Sequence, residues 1–353
     1  MGLIMYGFIY ILTIVLIIDS RIISSRIFPL FWFTVMVCLS LSVRWRMIQS
    51  GQALGGGDIS AYVLNMSIQD TMLSYHWREP VFWLGSQYLY QLIGNPGLVF
   101  VVMDAVLFLT FYKSVGLFQT FFPKPIKFDN VKYLYFGAFL VYPYMTGMHN
   151  HYRQILAVTV AMVAFGLAER KLVKALVFYL CSILIHNATI LLFPIFLLAR
   201  KRVTSFNLIG IGALAIILTL FIPSYYLDEI IRRFVQIGVR DVVHVRTEIY
   251  LYLLLLTTSF IIILEYTFNR RVQHLLIKVL ISLTAIFLFG FVLFPNQGVS
   301  RIFFMVITLL YILIGLYIEV RFKTGPIEKL LYFHFSLIPL LGLRGDGLFY
   351  DVW

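Results

Sequence analysis

An all-α polytopic membrane protein is the architecture to expect of this chain, with about ten transmembrane helices, short re-entrant or interfacial segments and an outer amphipathic helix. Three observations lead there. Of 353 residues, 61% are hydrophobic and only 12% charged, and the mean hydropathy is +0.92; a soluble core of this size cannot hide so much apolar surface. The apolar residues fall in blocks close to the roughly 20 helical residues that a bilayer core of about 30 Å requires. Short polar loops separate the blocks, so residues 1–353 read as one integral membrane domain with no soluble domain appended.

The first block, MGLIMYGFIYILTIVLII, has neither a basic leading region nor a small-residue cleavage site. It reads as a retained span at about 3–18 and not as a removed signal. Further spans are expected at about 28–43, 97–119, 132–147, 154–168, 206–222, 248–266, 274–294, 301–319 and 330–343. Between the second and third lies an outer loop, 44–96, containing EPVFWLGSQYLYQLIG at 79–94. Its apolar part, about 14 residues, is too short to cross comfortably and is expected to be interfacial or re-entrant. Residues 175–199 could form one tilted span, yet HNAT interrupts them at 186–189 and the basic clusters ERKLVK and ARKRV flank both ends. A re-entrant hairpin returns the chain to its starting side and keeps both clusters cytoplasmic. In the outer loop 223–247, LDEIIRRF sets Leu227, Ile230, Ile231 and Phe234 on one helical face. That is an amphipathic helix on the interface, either a lid carrying Arg240 and Arg246 toward a substrate or a plain surface connection.

Composition excludes several classes. Cys38 and Cys181 lie inside apolar runs, which offers neither a disulfide framework nor a metal cage. The net charge of +12 is read as positive-inside anchoring in the lipid, not as a nucleic-acid surface. No GxxxxGK[ST] occurs, and GIGALA at 210–215 lies within a span, so nucleotide use has no support.

With this topology both termini face outside and all ten lysines fall at or near the inner side. The outer side carries ten basic residues, all arginine: 44, 46, 78, 153, 232, 233, 240, 246, 301 and 344. A guanidinium grips phosphate or carboxylate with a planar fork that an ammonium lacks, so an outer face with arginine alone points to anion recognition, against chance drift in composition.

Polar groups gather on that side: GGGDISAY at 55–62, WREP at 77–80, MHNHYRQ at 148–154, HNAT at 186–189 and NQGVSR at 296–301. Arg153 and Gln154 begin a helix running inward, where unpaired N–H groups and the positive dipole end make an anion seat. Arg301 follows Ser300, an expected N-cap, and repeats the arrangement. Two such starts suit a diphosphate better than one carboxylate; the competing reading has each Arg snorkelling to headgroups. His149 and His151 are two apart and lack a third ligand, so no metal is expected there; they serve sugar hydroxyls or phosphate, or satisfy a helix end. His186, with Asn187 in the hairpin turn, is a titratable group within the membrane and a functional candidate, or else an ordinary interior histidine. Asp58 follows three glycines, with Tyr62 one helical turn beyond. Glu79 adjoins Arg78 and precedes Pro80. Asp58 or Glu79 reads as a base; alternatively Glu79 is only the ion partner of Arg78, and GGGD only a flexible loop.

Asp58 with Tyr62, Glu79-Pro80, Arg153-Gln154 followed by Ala157, His186 in IHNA, and Arg301 before an aromatic-rich span together resemble the EpsG/Wzy family of polysaccharide polymerases. The order covers residues 55 to about 305. Ile59 departs from the family, which often has a Tyr after the Asp, and so does the basic richness of 232–246. The resemblance implies transfer of a growing glycan from undecaprenyl diphosphate to a sugar hydroxyl of the next lipid-linked repeat unit, outside the bacterial plasma membrane. It implies no cofactor, kinship with the multi-span GT-C-like glycosyltransferases, and a Wzz-type chain-length regulator as partner besides membrane lipid. Such an enzyme must clamp a diphosphate and take a proton from a hydroxyl. Under this resemblance Arg153 is central to the clamp, Gln154, His149 and His151 steer phosphate or sugar, and the base is one of Asp58, Glu79 and His186. A flippase for the same lipid-linked oligosaccharide and a ligase that moves finished glycan are the rival readings; a flippase should show charged or broken helices at corresponding positions in two halves, a pairing this sequence does not show.

Overall fold

The computed structural model describes residues 2–52, 58–67, 77, 79–119, 122, 126–199, 297–322 and 325–341. Within them the chain is helical with no strand: α1 (Gly2–Ile18), α2 (Phe28–Ser50), α3 (Asp58–Ser67), α4 (Pro80–Ile93), α5 (Pro96–Phe118), α6 (Phe128–Gly137), α7 (Tyr142–His149), α8 (Tyr152–Leu167), α9 (Leu172–Ile185), α10 (Phe193–Leu198), α11 (Gln297–Phe322) and α12 (Pro326–Leu341). The expected spans at 206–222, 248–266 and 274–294 and the amphipathic loop 223–247 lie outside the described residues. Two helices, α2 and α5, are long and apolar enough to cross a membrane; α1, α8 and α9 are shorter, at 17, 16 and 14 residues. The expected count of ten spans is therefore not what the described helices establish.

The bundle is built around α8, whose residues from Gln154 to Gly166 are all buried, as befits a helix enclosed by others. On one side α5 runs parallel to it, with Phe100 against Tyr152 at 5.1 Å and Thr110 Oγ1 to Thr159 Oγ1 at 3.1 Å. On another, α9 returns antiparallel and Phe165 meets Tyr179. Gly147 of α7 lets both α8 and α11 approach: a Cβ there would lie 2.7 Å from Ile155 Cβ and 2.9 Å from Phe304 Cζ. The link from α4 to α5 is a two-residue turn. Gly94 takes φ 69° after the last turn of α4, and Asn95 caps α5 through Leu98 N while donating to Ile48 O at 2.9 Å.

Two boundaries differ from the sequence expectation for identifiable reasons. The second span runs on to Ser50 instead of ending near residue 43, because Arg44 is not at an interface but buried and paired with Asp104. The span at 132–147 is two helices and not one. Pro143 lacks an N–H and its ring clashes with the carbonyl four residues back, so α6 gives way to a 3-10 turn at Ala138–Leu140 and an extended Val141 before α7.

After α9 the chain leaves the helix at His186 (φ −151°, ψ 111°), makes a 3-10 turn over Asn187–Leu192 and enters α10. Tyr179 and Phe196 stack at 5.0 Å, whereas one straight helix would separate them by about 25 Å. The chain therefore folds back at His186. Charges also separate along the bundle. Arg44 and Arg153 sit at one end, while Lys132 with Asp129 (2.5 Å) and Lys329 with Glu319 (3.0 Å) sit at the other.

Candidate functional site

Three helix ends converge at the arginine end of the bundle. Glu79 precedes α4, whose first residue is Pro80; a proline is tolerated there because the first N–H of a helix has no intrahelical partner. The Glu79 side chain does not cap its own helix. Instead it reaches the start of α8, where Arg153 Nη1 donates to Oε2, and the turn after α9, where His186 Nδ1 lies 2.7 Å from Oε1. The backbone N–H of Asn187 donates to the same Oε1 at 3.2 Å. One carboxylate thus ties a guanidinium to an imidazole, and it is itself only 5% exposed.

From α3, Tyr62 extends the network. Its hydroxyl donates to Asp58 Oδ2 at 3.1 Å and accepts from Arg153 Nε at 3.1 Å. His151 Nδ1 lies 3.9 Å from the same Asp58 oxygen. The guanidinium of Arg153 also lies over aromatic faces, 5.0 Å from the Trp83 ring centre and 5.1 Å from that of Tyr62. Cation–π contact and the two hydrogen bonds hold the fork in one orientation, with Nη2 taken by no described residue.

Burial pushes the Glu79 carboxyl up, but the hydrogen bond and charge of His186, the charge of Arg153 and the Asn187 N–H outweigh it and hold it below the usual carboxylate value. An ionised carboxylate only accepts, so His186 Nδ1 carries the proton and, in the neutral ring, Nε2 is the acceptor. Nε2 is buried and has no hydrogen-bond partner among the described residues; the same is true of Gln154 Oε1, on the first turn of α8. A buried acceptor left unmatched costs about 1–3 kcal/mol, so these two atoms are suited to hydroxyl donors from a ligand. Among the described residues, no three His, Cys, Asp or Glu side chains gather in a way that would hold a metal.

The structure thus brings together Asp58, Tyr62, Glu79, His151, Arg153 and His186, with Asn187 contributing its backbone. Glu79 is paired with Arg153, while Arg78, like Arg240 and Arg246, lies outside the described residues. His149 is elsewhere: it is 2% exposed and its Nε2 hydrogen-bonds Tyr6 of α1 at 3.1 Å, behind the site. Arg301 falls in the second turn of α11, with its side chain outside what is described; because α11 begins at Gln297, Ser300 is not its cap. Sequence reasoning passed over Trp83 and Asp104, and took Arg44 only as an outer charge. A charge inside an apolar run was the available signal for the last two.

The fold and the site define a class: a helical chain with two described helices long and apolar enough to cross a membrane and a buried carboxylate–imidazole–guanidinium cluster at one end of its bundle. The model of the EpsG family matches residues 50–343, most of the chain, and the protein belongs to that family. Membership makes it a membrane protein of polysaccharide biosynthesis, associated with polymerase activity of the glycosyltransferase kind. No curated protein and no solved structure matches the chain.

Proposed function

We propose that this EpsG-family protein, one membrane-embedded unit, transfers a growing glycan from undecaprenyl diphosphate to a hydroxyl of the next lipid-linked repeat unit, at the outer face of the plasma membrane. The observation that carries the reading is Glu79, which joins Arg153 and His186 through its two oxygens. Outside the cytoplasm no nucleotide sugar is at hand, so the donor arrives already activated as a sugar diphosphate on a polyprenol. The two tasks left to the protein match the two partners of Glu79.

His186 Nε2 takes the proton of the acceptor hydroxyl as its oxygen bonds to the anomeric carbon of the donor sugar. The bond from that carbon to the diphosphate oxygen breaks, and its electron pair leaves with the prenyl diphosphate. Arg153, fixed through Nε and Nη1, offers Nη2 to the growing negative charge. His186 then releases its proton to water or to the departing diphosphate. Glu79 makes neither bond; it sets the imidazole tautomer and the angle of the fork. Gln154 Oε1 accepts from a second sugar hydroxyl, and a chain-length regulator is the expected protein partner.

Purified protein given only lipid-linked repeat units should convert them to a ladder of longer lipid-linked glycans. Translocation of the units without a ladder would mark a flippase, and transfer only to a foreign acceptor would mark a ligase.

A further inference from the structure

Behind the site lies a second buried charge pair that the mechanism above does not use. Arg44 of α2 and Asp104 of α5 meet at 3.2 Å (Nε to Oδ2), and their side chains are 3% and 0% exposed. Arg44 Nη2 also approaches Asp104 Oδ1 at 3.4 Å, and Ser40 Oγ donates to Oδ2 at 2.6 Å. Nη2 further donates to the carbonyl of Met148 at 2.7 Å, and the guanidinium lies 5.5 Å from the centre of the Tyr152 ring.

Met148 and Tyr152 bracket the non-helical link between α7 and α8. Within that link the N–H groups of Asn150 and His151 both turn back to Thr146 O, at 2.7 and 3.3 Å. Arg44 therefore grips the chain on both sides of the link, and the residue after Tyr152 is Arg153. If the pair only filled space, apolar residues of similar volume would serve at least as well, since burying two charges is costly. What apolar residues cannot do is hold a carboxylate on one helix and a carbonyl on another with one rigid fork. We propose that Arg44 and Asp104 form a positioning pair that sets the height and rotation of the start of α8, and through it the placement of Arg153 against Glu79. The inference rests on Arg153 acting as proposed above.

Arg44→Lys keeps the charge and loses the fork. Arg44→Met with Asp104→Leu removes both charges together, and Ser40→Ala deletes one bond to Asp104 without stranding a charge. Each is measured in the full-length protein by thermal unfolding, by hydrogen exchange of the segment 148–155 and by polymerisation kinetics. Arg44→Lys should unfold near the wild-type temperature, exchange faster at 148–155 and polymerise on the order of 10- to 100-fold more slowly, mostly in kcat. The double variant should keep thermal stability but recover neither local protection nor rate, and Ser40→Ala should move the same readouts less. A double variant with wild-type turnover, or unchanged exchange at 148–155 in all three, overturns the proposal. If the wild type makes no polymer, the functional reading fails, and hydrogen exchange still decides whether the pair positions the link.

Discussion

His186 Nδ1 lies 2.7 Å from Glu79 Oε1, and this contact decides which nitrogen of the ring is left to act. Glu79→Gln replaces an obligate acceptor with an amide that can present either its O or its NH₂, so the tautomer is no longer imposed. His186→Ala removes the proton acceptor itself. Initial rates of ladder formation should fall on the order of 10²–10⁴-fold for His186→Ala, and by less for Glu79→Gln. Normal rates in both would move the base elsewhere, with Asp58 next in line.

Arg153→Lys keeps one positive charge but cannot bond Tyr62 and Glu79 while offering a third edge. Charged hydrogen bonds contribute about 1.5–3 kcal/mol each, so loss of one aimed at the diphosphate lowers the rate roughly 10- to 100-fold. Kinetics with a fixed concentration of lipid-linked donor measure this, and normal polymer length and rate in the variant count against a clamp.

The depressed Glu79 carboxyl gives the cluster a defined pH dependence. Ionisation persists in the folded protein to lower pH than in the unfolded chain, where the carboxyl titrates near its ordinary value of 4.5. The stability it contributes is complete above that value and is lost as pH falls through the lower folded value. The difference in unfolding temperature between wild type and Glu79→Gln should therefore shrink as pH falls below about pH 4.5.

Gly147→Ala adds a methyl group where Ile155 and Phe304 already close the space. Overpacking of this kind costs about 1–3 kcal/mol and pushes α7 from α8. Thermal unfolding in detergent should show the loss, and Gly147→Ser should be at least as harmful.

Reporter fusions at residues near 148 and 298 test the orientation. Both should report an exterior location; one inside and one outside would separate the start of α8 from the start of α11.

Asp58, Tyr62, Glu79, Arg153 and His186 each stood out in the sequence as polar groups at the edges of apolar runs. Nothing local said that Glu79 would hold two of the others at once, because that depends on the chain reversing after α9 and on α4 packing against α9 with α3 beside it. Helix positions were legible wherever apolar blocks ended in Pro, Gly or Asn, as at Gly94 to Pro96. They were misread where burial replaced solvent as the partner of a charge, at Arg44, and where one proline broke an otherwise apolar block, at Pro143. The pairing of Arg44 with Asp104 is a matter of helix register between α2 and α5, which no periodicity within either helix encodes.

A phenol helps to fasten the fold-back after α9. Tyr179 OH donates toward the carbonyls of Thr189 and Ile190, at 2.9 and 3.1 Å, and so closes the turn across its open side. The aim of the imidazole at residue 186 thus depends, besides its bond to Glu79, on a hydroxyl that touches none of the reacting atoms. Tyr179→Phe retains the stacked rings yet unlatches the bend, which makes this clasp a place where the catalytic angle can drift while the bundle stays intact.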